Sequence, residues 1–116
     1  MELHLFAGIA VTDYQRSLDW YERFLGAPPT MIPNEVEAVW DIAERRAVYI
    51  VVSPEDAGHA RVTLFVNDDD FDTLGEQIAS RGIEPEQVET YSNGVRKATY
   101  ADPDGNELGI GGGPMG

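Results

Sequence analysis

The chain has 116 residues, 21 acidic against 8 basic side chains for a formal net charge of -13, and no cysteine. That length supports one compact domain with a core of ordinary size, and the absent thiols exclude disulfides, thiolate metal sites and cysteine nucleophiles. The acidity would repel phosphate backbones and anionic lipid headgroups, so nucleic acid and membrane are excluded as partners and a neutral or cationic small molecule is expected.

No stretch approaches the roughly 20 apolar residues that cross a bilayer. The chain opens on strand-like sequence where a signal region would carry charge and then an apolar run, and a cytoplasmic location is expected. Leu3, Leu5, Ala7, Ile9 and Val11 alternate with Glu2, His4, Phe6, Gly8 and Ala10, the period-two pattern of a first strand with one apolar side. Asp13 is placed to cap a helix in which Leu18, Tyr21 and Leu25 recur at helical spacing beside Trp20 and Phe24. Gly26 and then Pro28-Pro29 stop it. Strands follow over 31–33, 36–43 and 47–53, with Arg45-Arg46 in the turn between the last two. The segment from Pro54 to His59 lacks periodicity and is the connection between two halves.

The second half repeats the plan. Thr63-Leu64-Phe65-Val66-Asn67-Asp68 matches Gly8-Ile9-Ala10-Val11-Thr12-Asp13 at an offset of about 55 residues. Val62, Leu64 and Val66 form the apolar side of its strand, and a helix over 71–81, capped by Asp69 or Asp70, ends at Gly82. Strands over 84–91, 95–101 and 107–111 are separated by Ser92-Asn93-Gly94 and by Asp102-Pro103-Asp104-Gly105-Asn106, both strong turn signals. The tail from Gly112 is expected to fray. The fold class is therefore α+β, a single domain made of module 1–56 and module 57–116, each β-α-β-β-β, with their sheets curled around a cavity.

Val11-Thr12-Asp13, Ser17-Leu18-Asp19-Trp20-Tyr21, Phe24-Leu25-Gly26 and Asp102-Pro103-Asp104-Gly105-Asn106 ahead of the last strand resemble the vicinal oxygen chelate superfamily. Its members include glyoxalase I, extradiol dioxygenases, and fosfomycin- and bleomycin-resistance proteins. The resemblance covers nearly the whole chain and implies paired modules around a pocket, often with two chains completing two pockets, so a homodimer is expected. In the metal-dependent members it also implies a histidine on the first strand of each module and a glutamate on the last strand, with one further ligand on the fourth strand.

Aligned by its own landmarks, this chain has Phe6, Arg61 and Gly109 at the first three of those positions, and no acidic, histidine or glutamine side chain over 49–53. Phenylalanine and glycine offer no donor and guanidinium is a fixed cation, so no metal and no cofactor is expected. His4, His59 and Glu107 lie two residues before those positions, on the same strand side and about 7 Å along. A displaced metal site on that trio, serving a lyase, isomerase or dioxygenase, is the alternative reading. The Asp-Pro-Asp-Gly-Asn turn is read as backbone work: Pro103 fixes φ, Asp102 and Asn106 bond nearby backbone, and Gly105 takes positive φ.

Without a metal, the expected cavity lining is Phe6, Gly8, Arg61, Thr63, Phe65 and Gly109, joined by Trp40, Tyr49 and Tyr100. That set suits a metal-independent binding protein of the bleomycin-resistance type, sequestering an aromatic or cationic compound. Arg61 is also placed to pair with Glu107 across the sheet, and Trp20, Tyr21 and Phe24 belong to the core. No serine has the context of a nucleophile elbow, and the glycine-rich tail has no helix after it to cradle phosphate.

Overall fold

A computed structural model describes residues 1–113 of the chain. The first module consists of β1 (Leu5–Val11), α1 (Tyr14–Leu25), β2 (Met31–Asn34), β3 (Glu37–Ala43) and β4 (Arg46–Val52). A turn of 3-10 helix, Pro54–Asp56, leads to β5 (Arg61–Asn67), α2 (Asp68–Ser80), β6 (Gln87–Thr90), β7 (Arg96–Ala101) and β8 (Glu107–Gly113). Each module is its own four-stranded sheet, in the orders β1-β4-β3-β2 and β5-β8-β7-β6. In each, the first and last strands pair parallel and the rest antiparallel. The α+β fold of two β-α-β-β-β modules is present, with neither sheet closed into a barrel.

Local chemistry sets most of the boundaries. The Asp13 carboxylate accepts from the Arg16 N–H at 3.0 Å at the start of α1, and Gly26, at φ 78°, ends it by donating to the Glu22 carbonyl. β1 begins at Leu5, two residues later than the apolar alternation starts, where its parallel pairing with Arg46 at the start of β4 begins. α2 begins earlier than expected: Asn67 is its N-cap, and Asp68, Asp69 and Asp70 all lie in the first turn, where their charges favour the positive end of the helix dipole. β6 covers only Gln87–Thr90, and Arg46 belongs to β4, leaving Arg45 in the turn at φ 59°. Gly112 and Gly113 continue β8, paired with Arg96 and lying against Val95, so the expected fraying does not start there. The last part of that tail, 114–116, lies outside the described residues.

One core serves both modules. Ile9, Val11, Trp40, Val48 and Ile50 from the first sheet join Ala98, Tyr100, Leu108 and Ile110 from the second, with Trp20, Tyr21 and Phe24 of α1 and Phe71 and Ile78 of α2 among them. The α1 aromatics do much of the joining: Phe24 stacks on Trp20 at 5.0 Å and meets Tyr100 of β7 edge-on at 5.2 Å. Each such buried side chain contributes about 1.5–3 kcal/mol, so much of the helix-facing side of each sheet is covered within the chain, while Leu5 stays exposed and Val62, Leu64 and Val66 stay half-buried beside a hollow. Among the described residues no helix is long and apolar enough to cross a membrane.

The Asp102–Asn106 turn locks the modules together. Asp102 is 5 % exposed and accepts from the Tyr21 hydroxyl at 2.7 Å, from Asn106 Nδ2 at 2.9 Å, and from the backbone N–H groups of Asp104 and Asn106, both at 2.9 Å. Asn106 is fully buried, donates to the Ala10 carbonyl of β1 and accepts from the Ala60 N–H, each at 2.9 Å. Asp104 receives the Thr12 N–H and hydroxyl. Gly105 takes φ 87°, as the turn chemistry requires. Burial first, then the Asp102 charge, its hydrogen bond and Asp104, push the Tyr21 phenol far above its ordinary range, so it stays a donor.

Candidate ligand-binding faces

With the helix-facing sides largely covered, the opposite side of each sheet is the more open one, and strand register decides which residues stand there. On the first sheet Gly8 pairs with Tyr49 and Tyr49 with Val39. Phe6 and Tyr49 lie 6.5 Å apart between ring centroids, and the Tyr49 hydroxyl sits 2.5 Å from where a Cβ on Gly8 would be. Only glycine lets that ring lie flat there. On the second sheet the parallel pairing sets Arg61 beside Glu107, Thr63 beside Gly109 and Phe65 beside Gly111. The expected Arg61–Glu107 pair is present at 3.2 Å between Nε and Oε2. The Phe65 ring covers Gly111 at 2.7 Å from its virtual Cβ, a close approach that any larger residue would block.

Two of the nine residues expected at the lining face the helices. Trp40 pairs with Val48 and Tyr100 with Leu108, so both point to the helices; they are 3 % and 1 % exposed and belong to the core. Trp40 Nε1 donates to the Ala27 carbonyl at 2.9 Å. The Tyr100 phenol is shifted upward, by burial first and then by the Glu84 charge. The remaining seven form two groups, Phe6, Gly8 and Tyr49 on one sheet and Arg61, Thr63, Phe65 and Gly109 on the other. Among the described residues no hydrogen bond, ion pair or ring contact links them.

Three hollows, of about 270, 400 and 490 Å³, lie elsewhere, and none is bordered by Phe6, Gly8, Tyr49, Arg61 or Gly109. The largest lies where β5 meets the first sheet and touches Thr63 and Phe65. None of these three hollows gathers the expected lining; Trp40 borders the first, Tyr100 the second, and Thr63 and Phe65 the third.

The positions that a metal would need hold no suitable donors. A benzyl group, a paired guanidinium and a glycine cannot ligate a divalent ion. Among the described residues no group of three or more histidine, cysteine or acidic side chains could hold one. The displaced trio does not assemble either: His4 and His59 are exposed at separate places, and Glu107 is engaged by Arg61. Sequence reasoning passed over Lys97, whose stem lies across Gly109 on the open side of the second sheet, with Cε 2.9 Å from the virtual Cβ. Its signal was available: it is the chain's sole lysine, at the strand parity of Thr99.

The family model for the Glyoxalase/Bleomycin resistance protein/Dioxygenase superfamily matches residues 3–110. The chain belongs to this superfamily. A glyoxalase/bleomycin resistance protein from Catenulispora acidiphila is 51% identical, with 97% of this chain and 100% of that one covered and a TM-score of 0.92. A bleomycin-binding protein solved with bleomycin shares 19% identity over 94% of this chain and 97% of that one, TM-score 0.75. The fosfomycin resistance protein FosX from Listeria monocytogenes shares 15% over 99% and 96%, TM-score 0.73. The last two establish likeness of fold. No curated protein sequence matches the chain.

Proposed function

We propose that this chain is a metal-independent small-molecule binding protein that sequesters a planar aromatic compound on its open sheet faces, two copies together completing each site. The observation that carries this reading is the trio Phe6, Arg61 and Gly109, a ring, a cation and bare backbone where metal-dependent relatives would place ligands. Phe6, Tyr49 and Phe65 supply aromatic surface to an otherwise flat sheet, and Gly8, Gly109 and Gly111 keep its floor low. Of the two ligand classes open from the sequence, the aromatic one is favoured. Lys97 on this face has no ion-pair partner among the described residues, while Glu107 and Arg61 pair with each other.

A second copy is supported by the apolar side chains left uncovered, including Leu5, Phe6, Met31, Ile32 and Phe65, each more than 40 % exposed. The acidic surface supports a partner list without nucleic acid or membrane. The test is a fluorescence screen of aromatic compounds on protein dialysed against chelator, alongside elemental analysis and size-exclusion chromatography. A micromolar or tighter ligand retained by metal-free protein eluting at twice the chain mass is expected. A stoichiometric divalent metal that survives dialysis and is required for binding would overturn the reading.

A further inference from the structure

Cations are scarce in this protein, and nearly all are spent. Arg16, Arg23, Arg45, Arg61 and Arg96 each hold a carboxylate within 4 Å. Arg81 donates to the carbonyls of Arg23 and Phe24. Arg46 and Lys97 have no ion-pair or hydrogen-bond partner among the described residues. For Lys97 this is unexpected in a chain with 21 acidic side chains. Glu89 sits directly across from it on β6, yet lies beyond ion-pair distance. The lysine stem instead runs the other way, over the Gly109 floor.

At that floor two groups meet. Lys97 Cε and Thr63 Oγ1 lie 2.9 and 3.0 Å from the same point above Gly109, and the Thr63 hydroxyl also has no hydrogen-bond partner among the described residues. The ammonium is one bond beyond Cε, so a cation and a hydroxyl donor both stand within reach of a group bound beside Gly109. Two residues further along β8, roughly 7 Å away, the Phe65 ring lies over Gly111. An aryl group on Phe65 with an acidic substituent reaching back to Gly109 spans that distance.

Resting on the binding reading above, we infer that Lys97 and Thr63 form an oxyanion-holding site over Gly109, so that the ligand is an aromatic acid, carrying a carboxylate, sulfonate or comparable oxyanion, with its ring on Phe65. The positive charge needed there comes from a side chain on the neighbouring strand. An ammonium gives a charge-assisted hydrogen bond to such an oxygen, stronger than a neutral pair. The remaining N–H groups of Arg61, one step along β5, add to the positive potential. The net charge of -13 elsewhere slows arrival of an anion, so this site is one of retention more than of capture.

The test compares two fluorescent probes of similar shape on metal-free protein: anilinonaphthalene sulfonate, which is anionic, and phenylnaphthylamine, which is neutral. The wild type should bind the sulfonate about tenfold more tightly. Lys97→Met keeps the stem over Gly109 and removes the charge, and should abolish that preference while leaving the neutral probe unchanged. Lys97→Arg should restore it. Arg46→Met, at the other unpaired cation, should leave it intact, and Phe65→Ala should weaken both probes. Equal affinity for both probes in the wild type overturns the oxyanion site and leaves aromatic binding standing. A comparable loss in Lys97→Met and Arg46→Met reduces the effect to overall charge and also overturns it. If neither probe binds, the aromatic reading fails and the oxyanion site falls with it. Circular dichroism and melting temperature, unchanged across the variants, verify the fold.

Discussion

Asp102→Ala tests whether the turn before β8 is the clasp between modules. The substitution strands three buried donors, the Tyr21 hydroxyl, one N–H of Asn106 Nδ2 and the Asn106 backbone N–H, together with the Asp104 N–H nearer solvent. A stranded buried donor costs about 1–3 kcal/mol. Three of them, discounted for relaxation and non-additivity, give a loss of about 4 kcal/mol, against the roughly 5–15 kcal/mol that holds a small domain. Asp102→Asn keeps Oδ1 for the two backbone donors and lets the Tyr21 hydroxyl turn to accept, but sets an amide donor against Asn106 Nδ2. It should cost about half as much. Urea unfolding followed by tryptophan fluorescence measures both, since Trp20 and Trp40 sit in the shared core. A loss below about 1 kcal/mol for the alanine variant, or an asparagine variant weaker than the alanine one, would refute the argument that this carboxylate holds α1 and β1 to the second module.

Three further outcomes follow from buried groups and close approaches. Ser17 is fully buried with an unpaired hydroxyl, so Ser17→Ala should stabilise the protein by about 1 kcal/mol in urea unfolding, through relief of desolvation and better helix propensity. Gly112→Ala should cost about 2 kcal/mol, because its Cβ would stand 2.6 Å from Phe71 Cδ1 and 2.7 Å from Phe71 Cβ. That ring cannot yield: Arg96, pinned by Asp68 and Asp72, lies 4.5 Å over it. Gly8→Ala meets only the free end of Tyr49 and should cost less than about 1 kcal/mol while displacing that ring; equal losses at the two glycines in thermal melts would contradict the packing account. Tyr21 and Tyr100 both have raised phenol pKa values when folded. Unfolded chains release those protons near pH 10 and folded ones retain them, so stability is fully present below pH 10 and declines above it. The slope is up to about 1.4 kcal/mol per pH unit for each tyrosine. Unfolding at pH 9 and pH 11 measures it, and Tyr21→Phe should flatten the slope; an unchanged slope in that variant would contradict the assignment.

The parts of this fold that a reader of the sequence could find are those written in local chemistry. Alternation gives β1 and β5, Asp13 and Gly26 bracket α1, and the Asp-Pro-Asp-Gly-Asn turn announces itself, including the positive φ of Gly105. Where neighbouring residues carry the same signal, the choice is made elsewhere. Asp68, Asp69 and Asp70 offer three equivalent starts to α2, and the structure takes the earliest by capping on Asn67. Ala38, Val39 and Trp40 are all buried, so strand parity could not say which side Trp40 faces; its pairing with Val48 on β4 decides that, and sends it to the helices.

The larger step, which side of one module meets the other, has no local signature, because it depends on whether the α1 aromatics fit the second sheet. They do, through Phe24 on Tyr100 and Tyr21 on Asp102. That choice covers much of the helix-facing sides and leaves Phe6, Tyr49, Thr63, Phe65 and Lys97 on open sheet faces. The seven other expected lining residues stand on the open sides of their strands, in two groups that none of the three hollows brings together. It follows that variants on these faces should alter assembly and ligand binding, and variants at Tyr21, Asp102 and Asn106 should alter folding.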